Sequence, residues 1–144
     1  MDKSFLTWYI KDDEGIFSES NEYYAGSCGQ GNDLEICIQI WNNRWNIQND
    51  AEDIVNAKLI LSFLNPEDSV LLQLCTIKVN DNDYKSPVIE SINRGTIDIG
   101  TLYGYKNNGE LTYIDNYKTI NIRFSNIPNS FQNGLKSLYL DIEK

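Results

Sequence analysis

The sequence predicts an all-β fold: an antiparallel two-sheet sandwich, immunoglobulin-like or jelly-roll-like, with about seven to eight strands and one or two short helical turns. Three observations predict it. Leu34-Glu35-Ile36-Cys37-Ile38-Gln39-Ile40-Trp41 alternates apolar with other residues without a break, and Ile120-Asn121-Ile122-Arg123-Phe124 repeats the pattern. Successive side chains of an extended chain face opposite sides, so each segment reads as a half-buried strand. Asn and Ile are the commonest residues. Ile packs on a pleated surface through its branched β-carbon, and Asn suits turns because its amide bonds nearby backbone and it tolerates positive φ. Finally, two strand-like segments run into Pro-marked connections, at Asn65-Pro66 and at Asn126-Ile127-Pro128, each followed by another strand. Connections of that kind suit passage from one sheet to the other.

The elements follow in order. Phe5–Ile10 is a first strand, and the polar Lys11-Asp12-Asp13-Glu14-Gly15 is a turn that Ile16-Phe17 leaves as a returning strand. Gly26, Gly29 and Gly31 mark a loop over 21–32, before the long strand Leu34–Trp41. The polar stretch 42–53 leads to a strand at Ala57–Phe63. A helix beginning at Asp50 competes there, but Leu59, Leu61 and Phe63 have a period of two. Asn65-Pro66-Glu67-Asp68 has the makings of a helix start, with an Asn cap, a first-position Pro and acids in the first turn, so one helical turn is expected. A strand then runs to Val79, with Leu71, Cys75, Ile77 and Val79 on one face, and Asn80-Asp81-Asn82-Asp83 ends it. Thr96–Ile99 is a short strand and Lys106-Asn107-Asn108-Gly109 a hairpin-type turn. The alternating strand over 118–124 and a final strand over 135–142 complete the set. The expected core is Leu34, Ile36, Ile38, Ile40, Leu59, Leu61, Phe63, Ile77, Val79, Ile97, Ile99, Ile120, Ile122, Phe124, Leu138 and Leu140.

A chain of 144 residues fits one domain, 1–144, and can bury a core without metal or disulfide support. The formal charge of −9 repels phosphate, and Lys and Arg form no basic run, so neither nucleic acid nor an anionic membrane is an expected partner. The N-terminus, Met1–Ile10, lacks the apolar core of a signal peptide and is followed at once by charges. Synthesis in the cytoplasm without a signal peptide is expected. Cys28, Cys37 and Cys75 show no Cys-x-x-Cys spacing and read as reduced thiols.

Chemistry is sparse. The chain has no His, which excludes Ser-His-Asp and Cys-His nucleophilic systems and the commonest zinc ligand. The glycines around Cys28 precede a strand rather than a helix, so they do not match a phosphate loop. Most carboxylates fall in turns, where solvation rather than catalysis is expected, and a paired-carboxylate glycosidase needs a separation that sequence does not show. Asn80-Asp81-Asn82-Asp83 resembles a fragment of a calcium loop, with Asp81 and Asp83 as weak candidate ligands, but it lacks that motif's Gly and distal Glu. No cofactor and no enzymatic activity are expected.

The most suggestive patch is Trp41-Asn42-Asn43-Arg44-Trp45. Trp and Arg are the residues that most often anchor protein interfaces, while exposed Trp near amides is also how β-sandwich modules stack on sugars. A third reading has the Trp residues capping the core. Trp41, Asn43, Arg44 and Trp45 are therefore the candidate interface or ligand-binding residues, with Trp41 expected to point away from the core. The function expected is that of a non-catalytic structural or interaction protein: an acidic, oligomeric β-sandwich subunit contacting other subunits of a larger assembly, such as a bacteriophage virion's tail, neck or capsid decoration. The alternative is a carbohydrate-binding or adhesin-like module that takes a glycan.

Overall fold

The computed structural model describes residues 6–12, 14–19, 33–46, 51–104, 116–128 and 138–143. It contains two antiparallel sheets packed face to face. The five-stranded sheet has the order β2-β1-β3-β8-β5, and the four-stranded sheet the order β6-β7-β4-β9. Here β1 is Leu6–Lys11, β2 Phe17–Glu19, β3 Leu34–Asn42, β4 Ile54–Phe63, β5 Cys75–Val79, β6 Val88–Ser91, β7 Arg94–Leu102, β8 Tyr117–Phe124 and β9 Leu138–Glu143. Among the described residues no helix is long and apolar enough to cross a membrane.

Alternation builds the core. Ile36, Ile38 and Ile40 of β3 lie opposite Ile122, Ile120 and Lys118 of β8, and Leu59 and Leu61 of β4 lie opposite Ile142 and Leu140 of β9. Residues directly opposite on paired strands point to one side, so these rows face the other sheet. All of the expected core residues are buried except Leu34, Val79 and Ile97, which are half-buried. Each fully buried aliphatic side chain contributes about 1.5–3 kcal/mol, and this is what holds the register against a one-residue slip.

The two Pro-marked connections both change sheet. β4 leaves the four-stranded sheet through Pro66–Leu74 and enters the five-stranded sheet as β5; β8 leaves that sheet past Pro128 and β9 joins the other. The two passages interlock. Phe63, the end of β4, lies opposite Leu138, the start of β9, while Phe124, the end of β8, lies opposite Cys75, the start of β5.

Several local expectations change. The first connection is a 3₁₀ helix over Pro66–Leu74 rather than one turn, because Leu71 and Leu72 pack into the core and carry the coil onward. Asn65 makes no side-chain cap; its carbonyl accepts from Asp68 N at 2.9 Å. β4 begins at Ile54, with Ile54 itself buried, which settles the competition with a helix in favour of strand. The sequence pattern places no strand at β6, since all four of its residues are exposed and none marks an inward face; Glu90 accepts from Arg94 Nε at 2.9 Å and Thr96 Oγ1 at 3.0 Å of β7. The glycine loop with Cys28 and the turn at Lys106–Gly109 lie outside the described residues.

The Asn-rich composition has a structural use. Asn43, Asn56, Asn80 and Asn126 all take positive φ, between 52° and 58°. Asn enters this region at little cost because its short amide bonds locally. Asn56 marks the bulge that shifts the β4–β7 register between Ile54 and Ala57. The only other described non-Gly residue in that region is Trp45, at φ 73°.

Candidate functional site

The site is built at the end of β3. Asn42 and Asn43 are fully buried there, and their amides close one end of the sandwich. Asn42 Nδ2 donates to Glu52 O at 2.8 Å and Leu102 O at 3.0 Å, and Asn43 Nδ2 donates to Gly104 O at 2.9 Å. Asn116 Nδ2 donates to Tyr103 O at 2.8 Å, and Gly104 N donates to Asp53 Oδ1 at 2.8 Å. Buried backbone carbonyls need such partners, and here three side-chain amides supply them. A Cβ at Gly104 would sit 2.8 Å from Glu52 O and 3.0 Å from Ala51 O, so only glycine fits this clasp.

Above the clasp, the outer face of the five-stranded sheet carries a layer of aromatic rings. Thr7 and Tyr9 of β1 lie opposite Trp41 and Gln39, and those lie opposite Tyr117 and Thr119 of β8. Trp41 stacks on Tyr117 with ring centroids 4.3 Å apart and planes inclined by 19°. Trp41 Nε1 donates to Gln39 Oε1 at 3.2 Å, and Gln39 Nε2 donates to Thr119 Oγ1 at 3.3 Å. The short 3₁₀ turn Arg44–Asn46 then folds Arg44 back over this layer. Its guanidinium carbon lies 4.2 Å from the Trp41 ring centroid, 4.6 Å from Tyr9 and 4.8 Å from Trp45. One cation thus faces three rings, each presenting the negative face of its quadrupole. Burial raises the Tyr117 hydroxyl above its ordinary pKa, and Arg44 opposes that rise.

The four residues expected here part company. Trp41 does lie on the side of β3 away from the core, yet it has no exposed surface, because Tyr117 and Arg44 cover both its neighbourhood and its ring. Trp41 therefore caps the sheet and offers nothing to a partner. Asn43 is committed to the clasp, and Arg44 is half-buried on the rings. Trp45 alone keeps its surface, with 57% exposed. Asn42, which lies within the patch read from the sequence, joins the clasp, and Tyr9, Gln39, Asn116 and Tyr117 take part as well. The alternation of β8 sets Tyr117 and Thr119 on the outer face, which was the one available signal for Tyr117.

Other candidates stand apart. Asp81 and Asp83 are exposed, and the turn that holds them is pinned by Asn80: its N donates to Thr119 O at 2.7 Å and its Oδ1 accepts from Thr119 N at 3.0 Å. Among the described residues no group of three or more His, Cys, Asp or Glu side chains comes together in metal-binding fashion. Burial pushes the Cys75 thiol up to about 12 and also raises half-buried Cys37, so both stay as unreactive thiols near neutral pH.

No family model matches the chain, and no curated protein or solved structure matches it.

Proposed function

We propose that the chain is a non-catalytic β-sandwich subunit of a larger protein assembly and that Trp45 is its docking residue. The observation that carries the reading is the backbone of Trp45. A bulky residue at φ 73° is uncommon and costs about 1–3 kcal/mol, and such strain persists only where surrounding structure imposes it. Here Trp45 directly follows the buried amide clasp and the Arg44 stack, yet the strained residue keeps 57% of its surface exposed. A Trp that neither fills the core nor relaxes its backbone is organised for contact, and Trp is the residue whose truncation most often removes 2 kcal/mol or more from an interface, on the order of a hot spot.

A bacteriophage particle, with the chain in its tail, neck or capsid decoration, is the assembly we favour, on the compact acidic one-domain chain and its lack of His-based chemistry. A sugar-binding module is the competing reading. It draws on the same exposed indole but loses support from Asn43, whose amide is buried and already donating.

The test is the native mass of the protein and of Trp45→Ala at matched concentration. The expected result is an oligomer, a multiple of 16.6 kDa, that Trp45→Ala dissociates while its melting temperature stays within a few degrees. A wild-type protein that is monomeric over the whole concentration range removes the proposal. Loss of oligosaccharide binding with assembly intact transfers the site to the sugar-binding reading.

A further inference from the structure

A second binding feature lies between the edge of β7 and β5, and its lining does not include Trp45. β6 pairs with β7 at Val88↔Thr96, Ile89↔Gly95 and Ser91↔Arg94, whereas β7 continues to Leu102. From Ile97 onward the edge of β7 that faces away from β4 has no strand partner among the described residues. The reason is the path of the chain before β6. Lys85 bridges Ile77 on the other sheet, with Lys85 N donating to Ile77 O and Ile77 N to Lys85 O, each at 2.8 Å. The chain therefore reaches the β7 edge only at Val88, and the line that a longer β6 would have filled is left open.

That opening is a cleft of about 400 Å³. Its floor is apolar: Ile77 and Ile99 are buried core residues, and Val79 and Ile97 are half-buried. Val79 and Ile97 are two of the three expected core residues that burial leaves incomplete, and both lie here. The rim carries Asp83 and Asp98 against Lys85. One end is closed by Gly100, whose φ of +85° suits glycine and beside which the Lys118 stem passes.

We infer that this cleft accepts an extended segment of a partner protein, added as a strand to the free edge of β7, with alternate apolar side chains entering between the sheets and basic residues at its ends. Two features select this occupant. An unpaired strand edge offers a row of backbone donors and acceptors, which an extended peptide satisfies and a compact apolar ligand does not. The net charge of −9, with Asp83 and Asp98 at the rim, favours a segment with Lys or Arg flanks and opposes a second copy of the same acidic chain.

The probe is a set of short synthetic peptides with Val or Ile at alternate positions and Lys at both ends, titrated to about 1 mM into the labelled full chain and followed by amide resonances. The expected result is saturable binding, with shifts at Ile77, Val79 and Ile97–Gly100 and at least about tenfold slower hydrogen exchange across Ile97–Gly100. The same peptides N-methylated on the edge-facing amides are expected to bind about tenfold more weakly or worse. Ile97→Asn is expected to weaken binding; should it fail to fold, Asp98→Lys, at an exposed position, is expected to weaken Lys-flanked peptides and favour Glu-flanked ones. Unchanged binding of the N-methylated peptides, shifts confined to the Trp45 end, no shifts at all, or self-association of the peptide-free chain through this edge would each overturn the inference.

Discussion

The two ends of the outer face of the five-stranded sheet use the same pair of groups in opposite ways. At one end Arg44 lies over Tyr9, Trp41 and Trp45, and Trp41 beneath it is fully buried. At the other, Arg123 lies over the ring of Tyr84, 4.0 Å from its centroid, with Lys78 at 5.4 Å, while Tyr84 donates its hydroxyl proton to Glu35 and Arg123 reaches the same carboxylate at 3.7 Å. Glu35 and Arg123 remain roughly half in water. The guanidinium–ring geometry is equally close in both places. What differs is the ring beneath. Water competes for the pair at Arg123 and screens it, whereas Arg44, itself half-buried, rests on the fully buried Trp41, where the attraction is screened less. One end is a second small core; the other is a solvated network.

The comparison is open to breaking. Its largest consequence is that Trp41→Ala should cost about 3–5 kcal/mol, as a buried ring removed from any core would, although Trp41 lies on the outer face of the sheet. Urea denaturation measures this, and a cost below about 1 kcal/mol would return the aromatic end to ordinary surface. Next comes the pair of arginines. Arg44→Ala is expected to cost about 1–2 kcal/mol and to lose little of that in high salt, while Arg123→Ala should cost under about 1 kcal/mol and lose most of it in salt. Equal, equally salt-sensitive losses would mean that the two ends do not differ.

The smallest effect is one of titration. Tyr84 is raised above its ordinary pKa, first by burial and then by the hydrogen bond and charge of Glu35, whereas Tyr117 is raised by burial and held back by Arg44. An acid whose folded pKa is raised contributes stability that is present below its unfolded pKa and lost as pH rises through the folded one. Both tyrosines therefore favour the folded chain up to about pH 10 and cease to do so above it. Glu35→Gln should lower the Tyr84 midpoint and leave that of Tyr117 in place, as read by phenolate absorbance. A shift of both would show that the two ends are electrically coupled.

The strands were legible because their information is local. Period-two alternation in Leu34–Trp41 and over 118–124 reports which face meets a core, and it placed Trp41 on the correct side of its strand. It did not report that Trp41 is buried, because that depends on Tyr117, which arrives from a distant strand through pairing, and on Arg44, which folds back over the ring. The patch of Trp, Arg and Asn was visible as a composition, but the division of labour within it was not. Asn42 and Asn43 read as loop amides until the carbonyls they serve, on Glu52, Leu102 and Gly104, are brought to them. β6 escaped notice for the converse reason. An edge strand with both faces in water buries no alternate row of side chains, and so leaves no period-two pattern in side-chain polarity.

The interlocked passages between the sheets bear on how the chain reaches this structure. Each of the pairs β4–β9 and β5–β8 joins one strand from the first passage to one from the second, so neither pair is made by a local hairpin. Closing a long loop costs entropy before any contact repays it, and topologies dominated by such closures fold on the order of milliseconds to seconds. Here one closure serves both sheets. Bringing the Phe63 end of β4 to Leu138 also carries Cys75 toward Phe124, because the chain on either side is already tethered. Docking of the two passages is therefore expected to act as one kinetic event that zips both sheets together. Until it happens, β4 and β8 each present an unpaired flank.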